Sequence, residues 1–154
     1  MGEGTADFRT YVQESAPGTI NGGAQSVWLA AVRNFDIKAH TIAVSTVCAN
    51  RPAGYQVVRK DTPVGPGGFL RITADCPARM VVNGGGASVI GAGSTDNFGT
   101  RVQESAPGTT GLPSVSVHLA AVRNGSLART IGVHAVCSSA PAGYQVVRKE
   151  LPTS

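Results

Sequence analysis

Apolar and polar residues alternate with a period of two along most of this chain, and no capped 3.6-residue period runs for more than a few turns. Leu70, Ile72, Ala74 and Cys76 form an apolar row opposite Arg71, Thr73 and Asp75. Thr41 to Cys48 places Ile42, Val44 and Cys48 on one side, and Thr130 to Cys137 places Ile131, Val133 and Cys137 the same way. Val27 to Val32 is apolar on both parities, which predicts a strand covered on both faces. Asn21-Gly22-Gly23, Gly65-Pro66-Gly67-Gly68 and Asn124-Gly125 carry turn chemistry between these runs, and the two Ser-Ala-Pro-Gly stretches also read as turns. The pattern predicts an all-β domain of about ten short strands, built from pseudo-repeated hairpins as a sandwich, barrel or β-prism-like fold.

The strongest signal is internal duplication. Val12 to Thr19 recurs as Val102 to Thr109, Leu29 to Asn34 as Leu119 to Asn124, and Pro52 to Lys60 as Pro141 to Lys149. The offset is 90 residues before Asn34 and 89 after it, and roughly thirty of about fifty aligned positions are identical. A full unit spans residues 8–97 and a partial one 98–154, within a single domain expected over 1–154. A weaker echo runs inside the unit, where Cys48, Cys76 and Cys137 are each followed by a Pro-Ala step and a Val pair.

Composition fits this picture. The 154 residues include 20 Gly, only 14% charged and 5% aromatic residues, and carry a net charge of +4 with no basic run. That balance argues against a coiled coil and, lacking a basic cluster interleaved with aromatics, against nucleic-acid binding. No apolar stretch approaches the ~20 residues of a membrane-spanning helix. Met1-Gly2-Glu3-Gly4 has no basic-then-apolar leader, which leaves a cytosolic protein or a processed, exported one. Three cysteines without Cys-x-x-C or zinc spacing predict no metal site, and no cofactor motif is present.

The segment Ala74-Asp75-Cys76-Pro77-Ala78-Arg79-Met80-Val81-Val82-Asn83-Gly84-Gly85-Gly86-Ala87 is followed in order by Glu104-Ser105-Ala106-Pro107, Asn124 and Val136-Cys137. This succession resembles a pattern in actinobacterial secreted proteins: Cys-Pro-Ala-Gly, a Val pair, Gly-Gly-Gly, a Ser-x-Pro turn, a strand opening with Trp, an Asn-ended turn, and a strand ending Val-Cys. Trp28 holds the Trp position in the first copy and His118 in the second, while Arg79 stands where that pattern has Gly. The resemblance covers most of the chain but is structural, with no settled biochemical role attached. It implies export to the cell exterior or surface and a disulfide between Cys76 and Cys137, with Cys48 left over. Such a bridge would contribute ~4 kcal/mol by loop entropy. On the residues alone, three buried reduced thiols are an equal alternative.

Candidate chemistry is sparse. Asn83 to Ser88 with Gly91-Ala92-Gly93 lacks the Lys and the helix of a phosphate loop, so close strand packing is the expected use of its glycines. His40, His118 and His134 align with Arg129, Trp28 and Ser45 in the other copy, and surface or half-buried roles are expected. Glu14 and Glu104 occupy equivalent places, so similar environments are expected, the opposite of what acid/base catalysis needs. The polar residues common to both copies are Arg33-Asn34 with Arg123-Asn124, and Tyr55, Gln56 and Arg59 with Tyr144, Gln145 and Arg148. Tyr beside Gln and Arg suits a sugar or anionic ligand, so these ten residues are the candidate ligand-binding set. The expected function is a non-enzymatic extracellular binding module for a glycan or cell-surface ligand. Two alternatives stand beside it. One is a structural protein whose open sheet edges are completed by another subunit, giving a homo-oligomer. The other is a secreted hydrolase or hydrolase inhibitor.

Overall fold

The computed structural model describes residues 10–21, 25–46, 48–90, 99–111 and 114–147. Eight strands run β1 (Thr10–Ile20), β2 (Gln25–Asn34), β3 (Gln56–Val64), β4 (Phe69–Asp75), β5 (Met80–Ile90), β6 (Arg101–Thr110), β7 (Val115–Arg123) and β8 (Arg129–Ser139). A five-stranded sheet has the order β2-β1-β5-β8-β3 and a three-stranded sheet the order β4-β7-β6, with every pairing antiparallel. The fold is a sandwich with a core between these sheets.

The alternation read from the sequence accounts for that core. Ile131, Val133, Ala135 and Cys137 on β8 are fully buried and share one core cluster with Val82 of the neighbouring β5 and with Ile72, Ala74, Ala120 and Val122 of the other sheet. The Cys76–Cys137 disulfide joins the end of β4 to β8, and so ties one sheet to the other. Cys48 is free and exposed.

The sandwich that closes is β3 to β8, in which β8 lies between β5 and β3 and β7 lies between β4 and β6. The β1–β2 hairpin repeats β6–β7 residue for residue: Ser15↔Ala30 matches Ser105↔Ala120, and the bulge between Val12 and Glu14 matches that between Val102 and Glu104. It joins the five-stranded sheet through Ser15↔Ala87 on β5. A Cβ on Gly86 would stand 1.6 Å from the Ser15 carbonyl oxygen, so only glycine lets β1 approach there.

Three expectations change. Eight strands are found among the described residues rather than ten, because residues 41–46 and the second Tyr-Gln-Val-Val segment form none. Their sequence counterparts, β8 and β3, are strands because each has the other as a partner. The Ser-Ala-Pro-Gly stretches lie inside β1 and β6 rather than in turns. Pro107 sits on an edge strand, and Pro17 lies beyond the single β1–β5 rung, so a missing N–H costs little at either place. Finally, Val27–Val32 is not covered on both faces. β2 is a sheet edge and Leu29 is 42% exposed, whereas the matching β7 is central and buried.

The Pro-Ala echo proves to be one turn used three times. Tyr55, Met80 and Tyr144 donate their N–H to the carbonyls of Pro52, Pro77 and Pro141. The third residue of each turn has positive φ: Gly54 at 70°, Arg79 at 67° and Gly143 at 73°. Arg79 thus holds a backbone shape that favours glycine, which gives a physical meaning to its departure from Cys-Pro-Ala-Gly.

Candidate functional site

The repeated polar residues separate into turn clamps and exposed positions. Asn34 accepts a hydrogen bond from the Thr10 hydroxyl at 3.1 Å and donates to the Lys38 carbonyl at 2.7 Å. Asn124 does the same with Thr100 at 2.8 Å and Leu127 at 2.6 Å, and also donates to the Val64 and Gly65 carbonyls. Both asparagines therefore hold the turn that follows their strand. Tyr144 donates its hydroxyl to the Val82 carbonyl, and partial burial raises its pKa above the usual phenol value. Its counterpart Tyr55 instead lies under the Arg51 guanidinium, 5.0 Å from the ring centre.

Tyr55, Gln56 and Arg51 line a shallow groove of about 310 Å³ against Thr19 and Ser26. Gln56 also donates to the Met80 sulfur at 2.9 Å, and Arg59 pairs with Asp61 at 2.7 Å on the exposed side of β3. Gln145 is exposed, and Arg148 lies outside the described residues. The two Tyr-Gln-Arg sets thus have different surroundings.

Arg33 and Arg123 belong to the opposite end of the β1–β2 hairpin and of β7. There Arg101 lies over the Tyr11 ring at 5.1 Å, Tyr11 meets Phe35 edge-on at 5.9 Å, and Arg33 lies over Phe35 at 5.1 Å. Arg123 is paired across the β6–β7 ladder with Arg101. Tyr11, Phe35 and Arg101 escaped the search for repeated residues because they are where the copies differ. Tyr11 aligns with Arg101 itself, and Phe35 sits at the one-residue deletion.

A second cavity, of about 200 Å³, opens between the hairpin and residues 42–45. Its walls include Val12, Trp28, Ala30, Val32, Ile42 and Val44. The counterparts of the last five are His118, Ala120, Val122, Ile131 and Val133, none more than 3% exposed, all in the sealed interior of the closed sandwich. In the first copy Ile42 is 48% and Val44 56% exposed. This cavity is half a sandwich core. Among the described residues the strands that seal the other half, β4 and β5, occur once.

His40 is exposed, as expected, but the other two histidines are not. His118 and His134 are 3% and 8% exposed, hence buried rather than at the surface. His118 Nε2 lies 2.9 Å from the Ser105 hydroxyl, while its Nδ1 is buried with no hydrogen-bond partner. In the first copy the Trp28 indole N–H donates to the Ser15 hydroxyl, also at 2.9 Å. The same geometry is served by His118 in its Nε2–H form. Burial, with a smaller contribution from nearby His134, pushes His118 down to about 4. A Cβ on Gly85 would come within 2.4 Å of the His118 ring, so the Gly-Gly-Gly run makes room for an imidazole and a crossing strand.

Glu14 and Glu104 do not share an environment either. Burial raises the Glu14 carboxyl, whereas Glu104 holds Arg71 of β4 through both oxygens at 2.9 and 3.1 Å. β4, which supplies that arginine, lies in the sheet of β6 and β7 and not beside β1 and β2. Among the described residues no group of three His, Cys, Asp or Glu side chains could hold a metal ion, and no helix is long and apolar enough to cross a membrane. No protein-family model, curated protein or solved structure matches the chain, so its function has to be read from its own geometry.

Proposed function

We propose that this protein is a non-enzymatic β-repeat module that works by association, another subunit completing the incomplete sandwich begun by the β1–β2 hairpin. The observation that supports this reading is the half-core: Ile42 and Val44 are about half exposed where their counterparts Ile131 and Val133 are fully buried. Exposed apolar surface beside unpaired strand edges favours association through both the hydrophobic effect and ladder hydrogen bonds. The Cys76–Cys137 bridge fits an oxidising, extracellular setting. Light scattering is expected to show a mean mass that rises with concentration. Ile42→Lys with Val44→Lys should return the chain to a monomer without lowering the denaturation midpoint of the β3–β8 sandwich. A strict monomer at all concentrations overturns the reading.

A second reading, glycan binding at the cell surface, is favoured by the Arg101–Tyr11–Phe35–Arg33 row. Flat rings flanked by guanidinium groups suit an acidic sugar, which gains stacking and charge-assisted hydrogen bonds together. Retention on a sulfated-glycan column should be lost in Tyr11→Ala with Arg101→Ala and kept in Tyr55→Ala with Tyr144→Ala. No retention of the parent protein at low salt removes this reading.

A further inference from the structure

The chain carries a second copy of the sequence that opens β3, and a first copy, at residues 41–48, of the sequence of β8. In the closed sandwich β8 pairs with β3 so that Gln56 faces Cys137, Val58 faces Ala135 and Arg59 faces His134. Cys48 repeats Cys137 in a segment whose apolar alternation is that of β8, and Gly143 to Lys149 is identical to Gly54 to Lys60, the start of β3. Among the described residues, neither 41–46 nor 143–147 forms a strand, and both are exposed: Ile42 at 48% and Val44 at 56% in the first, Val146 at 48% and Val147 at 80% in the second. The molecule thus holds one β8-like segment and one β3-like segment, neither in the pairing that its twin makes.

We propose that a second copy of this chain supplies that partner: the segment starting at Tyr144 of one copy lies antiparallel on residues 41–48 of the next, in the register of β3 on β8. The duplication then sets the contacts. Gln145 opposes Cys48 and Val147 opposes Thr46. The contact is heterologous, because the donor and acceptor surfaces are different parts of the molecule. Each copy keeps a free acceptor at one end and a free donor at the other, so the assembly grows as an open chain unless the rotation closes a ring.

This inference rests on the association reading and adds its partner and register. The register places a Cys side chain at position 145 directly across from native Cys48. Directly opposed residues in antiparallel strands have Cα atoms about 4.5–5.5 Å apart, within the range a disulfide spans. Mild oxidation of Gln145→Cys with oxidised glutathione is therefore expected to give a ladder of covalent oligomers on non-reducing gels. The parent protein and Gln145→Cys with Cys48→Ser should lack that ladder. Val147→Cys, opposite Thr46, should cross-link much less. Equal cross-linking from positions 145 and 147, or none from 145 while light scattering still shows oligomers, overturns the register alone. A monomer by scattering with no cross-link overturns both the register and the association.

Discussion

Replacing Cys76 and Cys137 together by alanine is expected to destabilise the sandwich by about 4 kcal/mol, the loop-entropy value for a bridge spanning this many residues. The bridge closes a separation of 61 residues and joins β4 in one sheet to β8 in the other. Without it the unfolded chain regains the freedom of nearly the whole β4–β8 stretch. Alanine is the informative replacement, since serine would put hydroxyls into sites that are 3% and 0% exposed and add a desolvation cost. Domains of this size are typically stable by about 5–15 kcal/mol, so the loss is a large share of the total. Urea unfolding of the parent and the double-alanine protein measures it as a lower midpoint. Cys48→Ser serves as the control, because Cys48 is exposed and unbridged and its loss should leave the midpoint unchanged. An unchanged midpoint in the double-alanine protein would mean that packing alone holds the two sheets together.

The all-β fold and the rows of β4 and β8 were legible in the sequence because a period of two marks a strand with one covered face. What periodicity cannot report is whether a partner strand exists. Thr41–Cys48 and Thr130–Cys137 carry nearly the same alternation, yet only the second lies between β5 and β3 and becomes a strand. Val27–Val32 and Val117–Val122 differ in sequence only at Trp28 and His118, yet one is an edge and the other a centre. The turn reading of Ser-Ala-Pro-Gly failed for a related reason, because a proline can stand in a strand wherever its nitrogen has no ladder to join.

The candidate site was legible only in part. Asn34 and Asn124 recur because each clamps a turn, which duplication alone cannot distinguish from binding. The Arg–aromatic row was invisible to a search for shared residues, since Tyr11 and Phe35 lie where the copies diverge. His118 did carry a signal, for it shares the inward parity of Ala120 and Val122. The duplication becomes more informative as a record of pairing than as a list of preserved residues: each buried contact in β3–β8 states what the first hairpin lacks.

Burial of His118 predicts how the sandwich responds to acid. The imidazole titrates at about 4 when folded and near 6.5 when unfolded, because the interior disfavours its charged form. Between those values the unfolded chain binds the extra proton, so acid favours unfolding. The stabilising contribution is therefore complete above pH 6.5, falls as the pH drops from 6.5 to 4, and is gone below 4. A difference of that size is worth about 3 kcal/mol. His134, lowered mainly by burial, acts in the same direction, whereas Glu14, raised by burial, opposes it. Urea midpoints measured from pH 7.5 down to 4.5 should fall steadily. His118→Gln keeps an amide donor for the Ser105 hydroxyl and removes the titration, so its midpoint should depend on pH much less steeply even if its stability at pH 7.5 is lower. An equal slope in the two proteins would place the acid sensitivity elsewhere. Because the residues lining the first hairpin's half-core have no histidine among them, the Trp28 position contributes nothing to this response.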